Sequence, residues 1–250
     1  MQKVDSTEPR PYRLQKLALG NLDALRGFFD GLPPDPYLAE RYRSRRFSKF
    51  RVESENLWLM NHEVFVQAKE YNPLLGEVRR EFMELDEGLT TRDEFKALIL
   101  DFLKLCQIWP RKAEVGVHQI QITSSAQKLG YPAPEGLHQD GFDFIGIFCV
   151  SRDNINGGET ALYEARNTEP IYRRVLEPGE LLVIDDRLLL HYTSPIEASE
   201  HAGGARNVFI LAASVVQPAN EDRETEGPSA SQASSLTEAT LTVRRPVAGR

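Results

Sequence analysis

Cysteine is nearly missing from these 250 residues: only Cys106 and Cys149 occur. Both stand in apolar stretches (LKLCQIW and IGIFCVS), where a free thiol acts as a small buried hydrophobe. No CxxC or Cys/His finger spacing accompanies them, so neither a disulfide framework nor a cysteine-based zinc site is expected. Long hydrophobic runs are missing too. Leu181 to Ile184, Leu188 to Leu190 and the interrupted Phe209 to Val216 fall far below the roughly 18–20 apolar residues that span a bilayer. The first thirty residues mix charges of both signs and hold no apolar h-region, so no secretory signal is read there. Positive charge is in deficit, 30 Lys and Arg against 37 Asp and Glu, a formal net charge of −7. That balance argues against nucleic acid or an anionic membrane as partner. A soluble cytoplasmic chain, monomer or homodimer, is expected.

What is present is a globular composition, 41% hydrophobic and 27% charged. A domain of this size buries roughly 70–75% of its unfolded surface and needs no staple to fold. From about Leu17 to Trp109 the patterns are largely helical. NLDALRGFFDGL has helical spacing and is stopped by Pro33-Pro34, whereas RFSKFRVESENLWLM reads as two short extended pieces. Thr91 and Glu94 read as a capping box. Phe95, Leu98, Ile99, Phe102 and Cys106 then form one apolar stripe, expected to pack on a sheet. From Glu114 to Val216 the period becomes two. Strands are expected over Val115 to Thr123, Phe144 to Ser151, Glu159 to Tyr163, Leu181 to Ile184 and Asn207 to Val216, separated by Pro- and Gly-rich turns. Many short strands at this spacing point to a jelly-roll-like β core with a helical layer, a mainly β member of the α+β class. Residues 1–216 are read as one domain. Residues 217–250, rich in Glu, Ser, Ala, Thr and Pro, are read as a disordered tail.

The basic run Arg41, Arg43, Arg45, Arg46, Lys49 and Arg51 is interleaved with Phe47 and Phe50. It reads first as a solvated edge, with basic groups reaching an anionic small substrate left open. The most informative stretch is EGLHQDG. His138 and Asp140, two apart on an extended chain, project to one side and can take neighbouring positions around a metal. His191, after the apolar LLVIDD and LLL runs, is the candidate third ligand. Two histidines and one carboxylate leave three positions open on a ferrous ion, enough for a bidentate 2-oxo acid and dioxygen. Arg206 opens an apolar strand, where its charge is costly to bury unless an anion such as the distal carboxylate of 2-oxoglutarate pairs with it. Asp185 and Asp186 read as a strand end that orients a neighbour. Gly157-Gly158 reads as a hairpin turn.

The runs PEGLHQDGFDFIGIFCVSRDNINGGETALYEA, LEPGELLVIDDRLLLHYTSPIEA and ARNVFIL, in that order, resemble the bacterial 2-oxoglutarate and iron dioxygenase family that includes L-isoleucine hydroxylases. The resemblance covers about Tyr37 to Ala212. It implies a double-stranded β-helix (a cupin-like jelly roll) with helices on its outer face. It further implies His138, Asp140 and His191 as iron ligands, Arg206 as the 2-oxoglutarate anchor, and a free aliphatic amino acid hydroxylated at an unactivated carbon. Fe(II), 2-oxoglutarate and dioxygen are the cofactor and co-substrates so implied. Where Gln121 stands the family resemblance leads one to expect a basic residue, so Gln121 would act there without charge. Related halogenating enzymes lack the carboxylate, and Asp140 favours hydroxylation. Gln119 is a further candidate for co-substrate contact; Gln121, Tyr131, Glu135 and Tyr163 are candidates for substrate contact. Rival readings are a zinc hydrolase using the same three residues, a hydroxylase of peptide or protein side chains, and a non-catalytic jelly-roll binding module.

Overall fold

A computed structural model describes residues 10–216; the segment 217–250, expected as a tail, lies outside the described residues. Among the described residues, twelve strands carry most of the order. A seven-stranded antiparallel sheet runs β1 (Tyr12–Lys16), β9 (Glu180–Asp185), β5 (Phe144–Asp153), β12 (Gly204–Val215), β4 (Ala113–Ser124), β2 (Arg43–Glu53) and β3 (Asn56–Leu59). Facing it are a three-stranded sheet, β10 (Leu189–Thr193), β7 (Glu159–Glu164) and β8 (Tyr172–Val175), and a two-stranded one, β11 (Ile196–Ala198) and β6 (Ile155–Gly157). Strand pairing that alternates between two sheets in this order is a jelly roll, the double-stranded β-helix.

Period two sorts each long strand of the large sheet into two apolar faces. Outward, Val115, Val117, Phe148, Phe209 and Leu211 join a core completed by α3 (Asp93–Leu105). The α3 stripe Phe95, Leu98, Ile99 and Phe102 is fully buried in that layer. Phe102 sits where Gly146 leaves room: a Cβ at 146 would come within 2.8 Å of its ring. Inward, Ile145, Ile147, Leu182 and Ile184 pack with Leu162 and Leu189 of the smaller sheet. Burying this many Leu, Ile and Phe side chains, at roughly 1.5–3 kcal/mol each, holds the layers together.

The segment before Trp109 is less helical than its patterns predict. Only α1 (Asp23–Arg26), a following 3-10 turn over Gly27–Phe29, α2 (Glu87–Thr90) and α3 are helical there. The expected two extended pieces form the β2–β3 hairpin, while the chain from Met60 to Leu85 is mostly irregular. The capping box is absent. Thr91 closes α2 with helical φ and ψ, and its hydroxyl donates to the Glu87 carbonyl at 2.9 Å. An N-cap needs extended backbone, so Thr91 cannot serve α3; Glu94 instead receives the Arg92 guanidinium at 3.0 Å. Both cysteines are free and buried, and burial pushes their thiols up in pKa. No helix among the described residues is long and apolar enough to cross a membrane.

Candidate metal centre and co-substrate pocket

His138 and His191, far apart in sequence, are neighbours because the 138 segment adds to the edge of β10. Each donates its backbone N–H to the other's carbonyl, at 3.1 and 2.9 Å. Such a reciprocal antiparallel pair sets the two side chains on one side of the ladder, and the imidazole centroids lie 4.3 Å apart. Asp140, two residues along, turns its carboxylate to the same point: Oδ1 is 3.7 Å from His138 Nε2 and Oδ2 is 3.5 Å from His191 Nε2. One donor atom from each of the three lies within 4.8 Å of the others.

The supporting contacts suit metal binding. His138 Nδ1 stands 2.9 Å from the Gly136 carbonyl; donating there, it leaves the Nε2 lone pair free. Burial, then the neighbouring His138, pushes His191 well below the usual imidazole pKa, so it is the neutral donor a metal requires. Asp186 fixes the ligand-bearing segment by accepting backbone N–H groups from Asp140 at 3.0 Å, Gly141 at 2.7 Å and Phe142 at 3.1 Å. Burial and the Asp140 charge raise its pKa to about 6. Gln67, which carried no signal in the sequence, donates to Asp140 Oδ1 at 2.9 Å and accepts from Arg80 at 2.7 Å.

The same cavity is lined by Arg206, with Ile120, Ile122, Ile145, Ile147 and Ile210 between. Arg206 is only 2% exposed, and its Nε and one Nη have no hydrogen-bond partner. Desolvation lowers its pKa to about 10. A buried guanidinium with idle donors facing a cavity fits a carboxylate arriving from outside. Gly158 lies beside it at φ +69°, where a Cβ would come 3.0 Å from Ile196 Cγ2 and 3.1 Å from Arg152 Nη1.

Of the other predicted residues, Glu135 lines the cavity, and its Oε1 is 3.2 Å from His138 Nε2. Gln119 and Gln121 are not brought there. They stand on the opposite face of β4, donating to the carbonyls of Phe28 at 2.8 Å and Phe29 at 3.4 Å. His118, Ile120 and Ile122 take the cavity face, so the expected contacts of both glutamines with co-substrate or substrate are corrected. Tyr131 is 39% exposed and meets Tyr42 edge-on at 5.6 Å, and Tyr163 on β7 does not line the cavity. The basic run also divides: Arg43 and Arg45 are buried at the cavity wall, which corrects the solvated-edge reading for those two.

A double-stranded β-helix with two imidazoles and a carboxylate converging at the edge of its smaller sheet defines a jelly-roll protein with a mononuclear metal centre. The chain belongs to the 2OG-Fe dioxygenase family, whose sequence profile matches residues 26–212. Members require Fe(II), 2-oxoglutarate and dioxygen, and these are the cofactor and co-substrates of this chain. It is similar to the 3(1)-hydroxy-L-isoleucine 4-dioxygenase of Pantoea ananatis, at 25% identity over 82% of this chain and 85% of that protein. The crystal structure of a bsmA homolog from Methylobium petroleophilum PM1 superposes with a TM-score of 0.72, at 25% identity over 82% of this chain and 89% of that one. The protein IDO from Bacillus thuringiensis shares the fold, with a TM-score of 0.64 at 15% identity over 78% and 83% of the two chains.

Proposed function

We propose that this chain hydroxylates a free amino acid, an aliphatic one such as isoleucine or leucine, at an unactivated carbon, using His138, Asp140 and His191 to hold Fe(II) and Arg206 to anchor 2-oxoglutarate. The observation that carries the reading is the pairing, in one cavity, of the three-donor cluster with a buried guanidinium whose Nε and one Nη have no partner in the protein. The amino-acid class is supported by the relative named for a hydroxyisoleucine substrate and by a carboxylate, Glu135, placed beside the metal-facing nitrogen of His138.

When bound, Fe(II) with dioxygen supplies the oxidation, in which 2-oxoglutarate becomes succinate and carbon dioxide and one oxygen atom enters a substrate C–H bond. The chain does the rest. His138 and His191 would each offer a ring nitrogen and Asp140 a carboxylate oxygen to the ion, a donor set that suits ferrous iron. Arg206 holds the distal carboxylate and so fixes the direction from which the 2-oxo acid end reaches the metal. The isoleucine walls on β4, β5 and β12 keep water from the space between them. The metal-bound carboxylate is oriented by Gln67, and its backbone by Asp186.

The test is succinate formation by iron-loaded protein with 2-oxoglutarate and each common amino acid, with mass spectrometry for a product heavier by one oxygen. One amino acid is expected to give both. His138→Ala and Asp140→Ala are expected to abolish succinate, and Arg206→Ala to raise the half-saturating 2-oxoglutarate concentration roughly 30-fold or more. Undiminished turnover in folded His138→Ala protein would remove the ligand assignment, and an unchanged half-saturation in Arg206→Ala would remove the anchor.

A further inference from the structure

The end of the cavity formed by β2 and the irregular segment after β3 holds more positive charge than its own partners neutralise. Arg43, Arg45 and Arg80 all line it, with 6%, 6% and 2% exposure. Asp35 is the acid paired there: it accepts from Arg43 at 2.8 Å and stands 3.7 Å from Arg45. His118 supplies no negative charge and sits 2.6 Å from an Arg45 Nη. Arg45 lies over the Phe82 ring at 4.1 Å and Arg80 over the Phe65 ring at 4.7 Å, which orients both guanidiniums without satisfying their in-plane donors. The Nε groups of both Arg45 and Arg80 are buried with no hydrogen-bond partner. Two buried, unpartnered donors on adjacent cations repeat the arrangement at Arg206, whose Nε is likewise buried without a partner.

We infer that Arg45 and Arg80 form a second anion site in the cavity, which takes the α-carboxylate of the substrate while Glu135 takes its ammonium. This rests on the amino-acid reading above and names the residues that would recognise that class. Glu135 is close enough to both arginines for its charge to be felt at each, and it also abuts His138. A zwitterion needs such a pair of opposite charges a few ångströms apart. Leu38, Leu74 and Leu75 line the same cavity and offer apolar contacts to an aliphatic side chain. Arg80 further donates to Gln67, which in turn holds Asp140, so the carboxylate site and the metal ligand share one bridging side chain. Burial and neighbouring arginines lower the Arg45 pKa to about 9, as expected of a cation short of an anion.

Anaerobic calorimetry on the Fe(II)- and 2-oxoglutarate-loaded protein tests this. Each common L-amino acid is titrated, followed by the C-terminal amide and the N-acetyl derivative of the tightest binder. 4-Methylpentanoate serves as a bare aliphatic carboxylate. The amide is expected to bind roughly 30-fold or more weaker than the acid. Arg80→Met is expected to weaken the acid by a similar factor and the amide no further, and Arg45→Lys to weaken the acid less. Equal binding of acid and amide by the native protein, a comparison that needs no variant, would overturn the site. So would unchanged acid binding in both variants. Arg80-dependent binding of 4-methylpentanoate with no amino acid bound would keep the site and end the free amino-acid reading. Absence of binding by every carboxylate offered would end the site, while succinate formation with any other substrate would leave the dioxygenase reading in place.

Discussion

Gln67 shows how far a single uncharged side chain can reach in this molecule. It stands in an irregular segment with no period to mark it, yet it joins Arg80 to Asp140 through 2.7 and 2.9 Å hydrogen bonds. Groups that orient metal ligands typically contribute ten- to a hundredfold to affinity, so Gln67→Ala is expected to weaken Fe(II) binding by about that factor. Equilibrium metal titration of folded protein checks this, and an unchanged affinity would reduce Gln67 to a loop contact. The four residues His138, Asp140, His191 and Arg206 were legible because each sets a polar or charged group into apolar, extended sequence at a defined spacing. Gln119 and Gln121 were misplaced for a related reason. Both faces of β4 are buried, so alternation gives the two sets of residues without saying which set meets the cavity. Arg45 read first as part of a solvated edge because its run looks like one until the fold closes over it, and Arg80, in an irregular segment, carried no signal of its own.

Among elements, the contact between α3 and the large sheet depends on a missing side chain. Gly146→Ala would place a methyl group 2.8 Å from the Phe102 ring and 3.3 Å from Leu181. Overpacking of this kind costs about 1–3 kcal/mol, and the loss should shrink when Phe102→Leu is added, because the ring it strikes is gone. Chemical denaturation of the single and double variants measures both, and a loss independent of Phe102 would contradict the packing account. On the other side of the sheet, Glu114 of β4 bonds Lys49 and Arg51 of β2 at 2.7 and 2.9 Å. Chiefly the Lys49 contact, with Arg51, holds its pKa below the ordinary glutamate value. The contribution is therefore present above pH 4.5 and fades as pH falls through the lowered value. Glu114→Gln should cost on the order of 1–3 °C in Tm at pH 7 and nothing at a pH where both forms are neutral; a loss equal at both pH values would contradict it. The strands and the α3 stripe were legible from their periods. Helical content before Trp109 was overread, because short apolar spacings in irregular segments that cover a cavity mimic a helix stripe.

Across the whole molecule, the two faces of one sheet divide the labour. The outer face meets α3 in an apolar layer that carries no chemistry, and the inner face lines, with Ile120, Ile145, Arg206 and Ile210, the cavity onto which His138, Asp140 and His191 converge from the smaller sheet's edge. The jelly roll was readable from strand spacing, and the order of the three motif runs pointed to the family; the convergence of positions 138 and 191 was expected from residue type, but the ladder pair that brings these segments together from more than fifty residues apart was not legible. The account stands most directly on anaerobic Fe(II) titration of the native chain and of His138→Ala, Asp140→Ala and His191→Ala. One ion per chain is predicted for the native protein, with each variant folded but binding at least about tenfold more weakly. Native-like affinity in any of the three would contradict a centre built from these side chains.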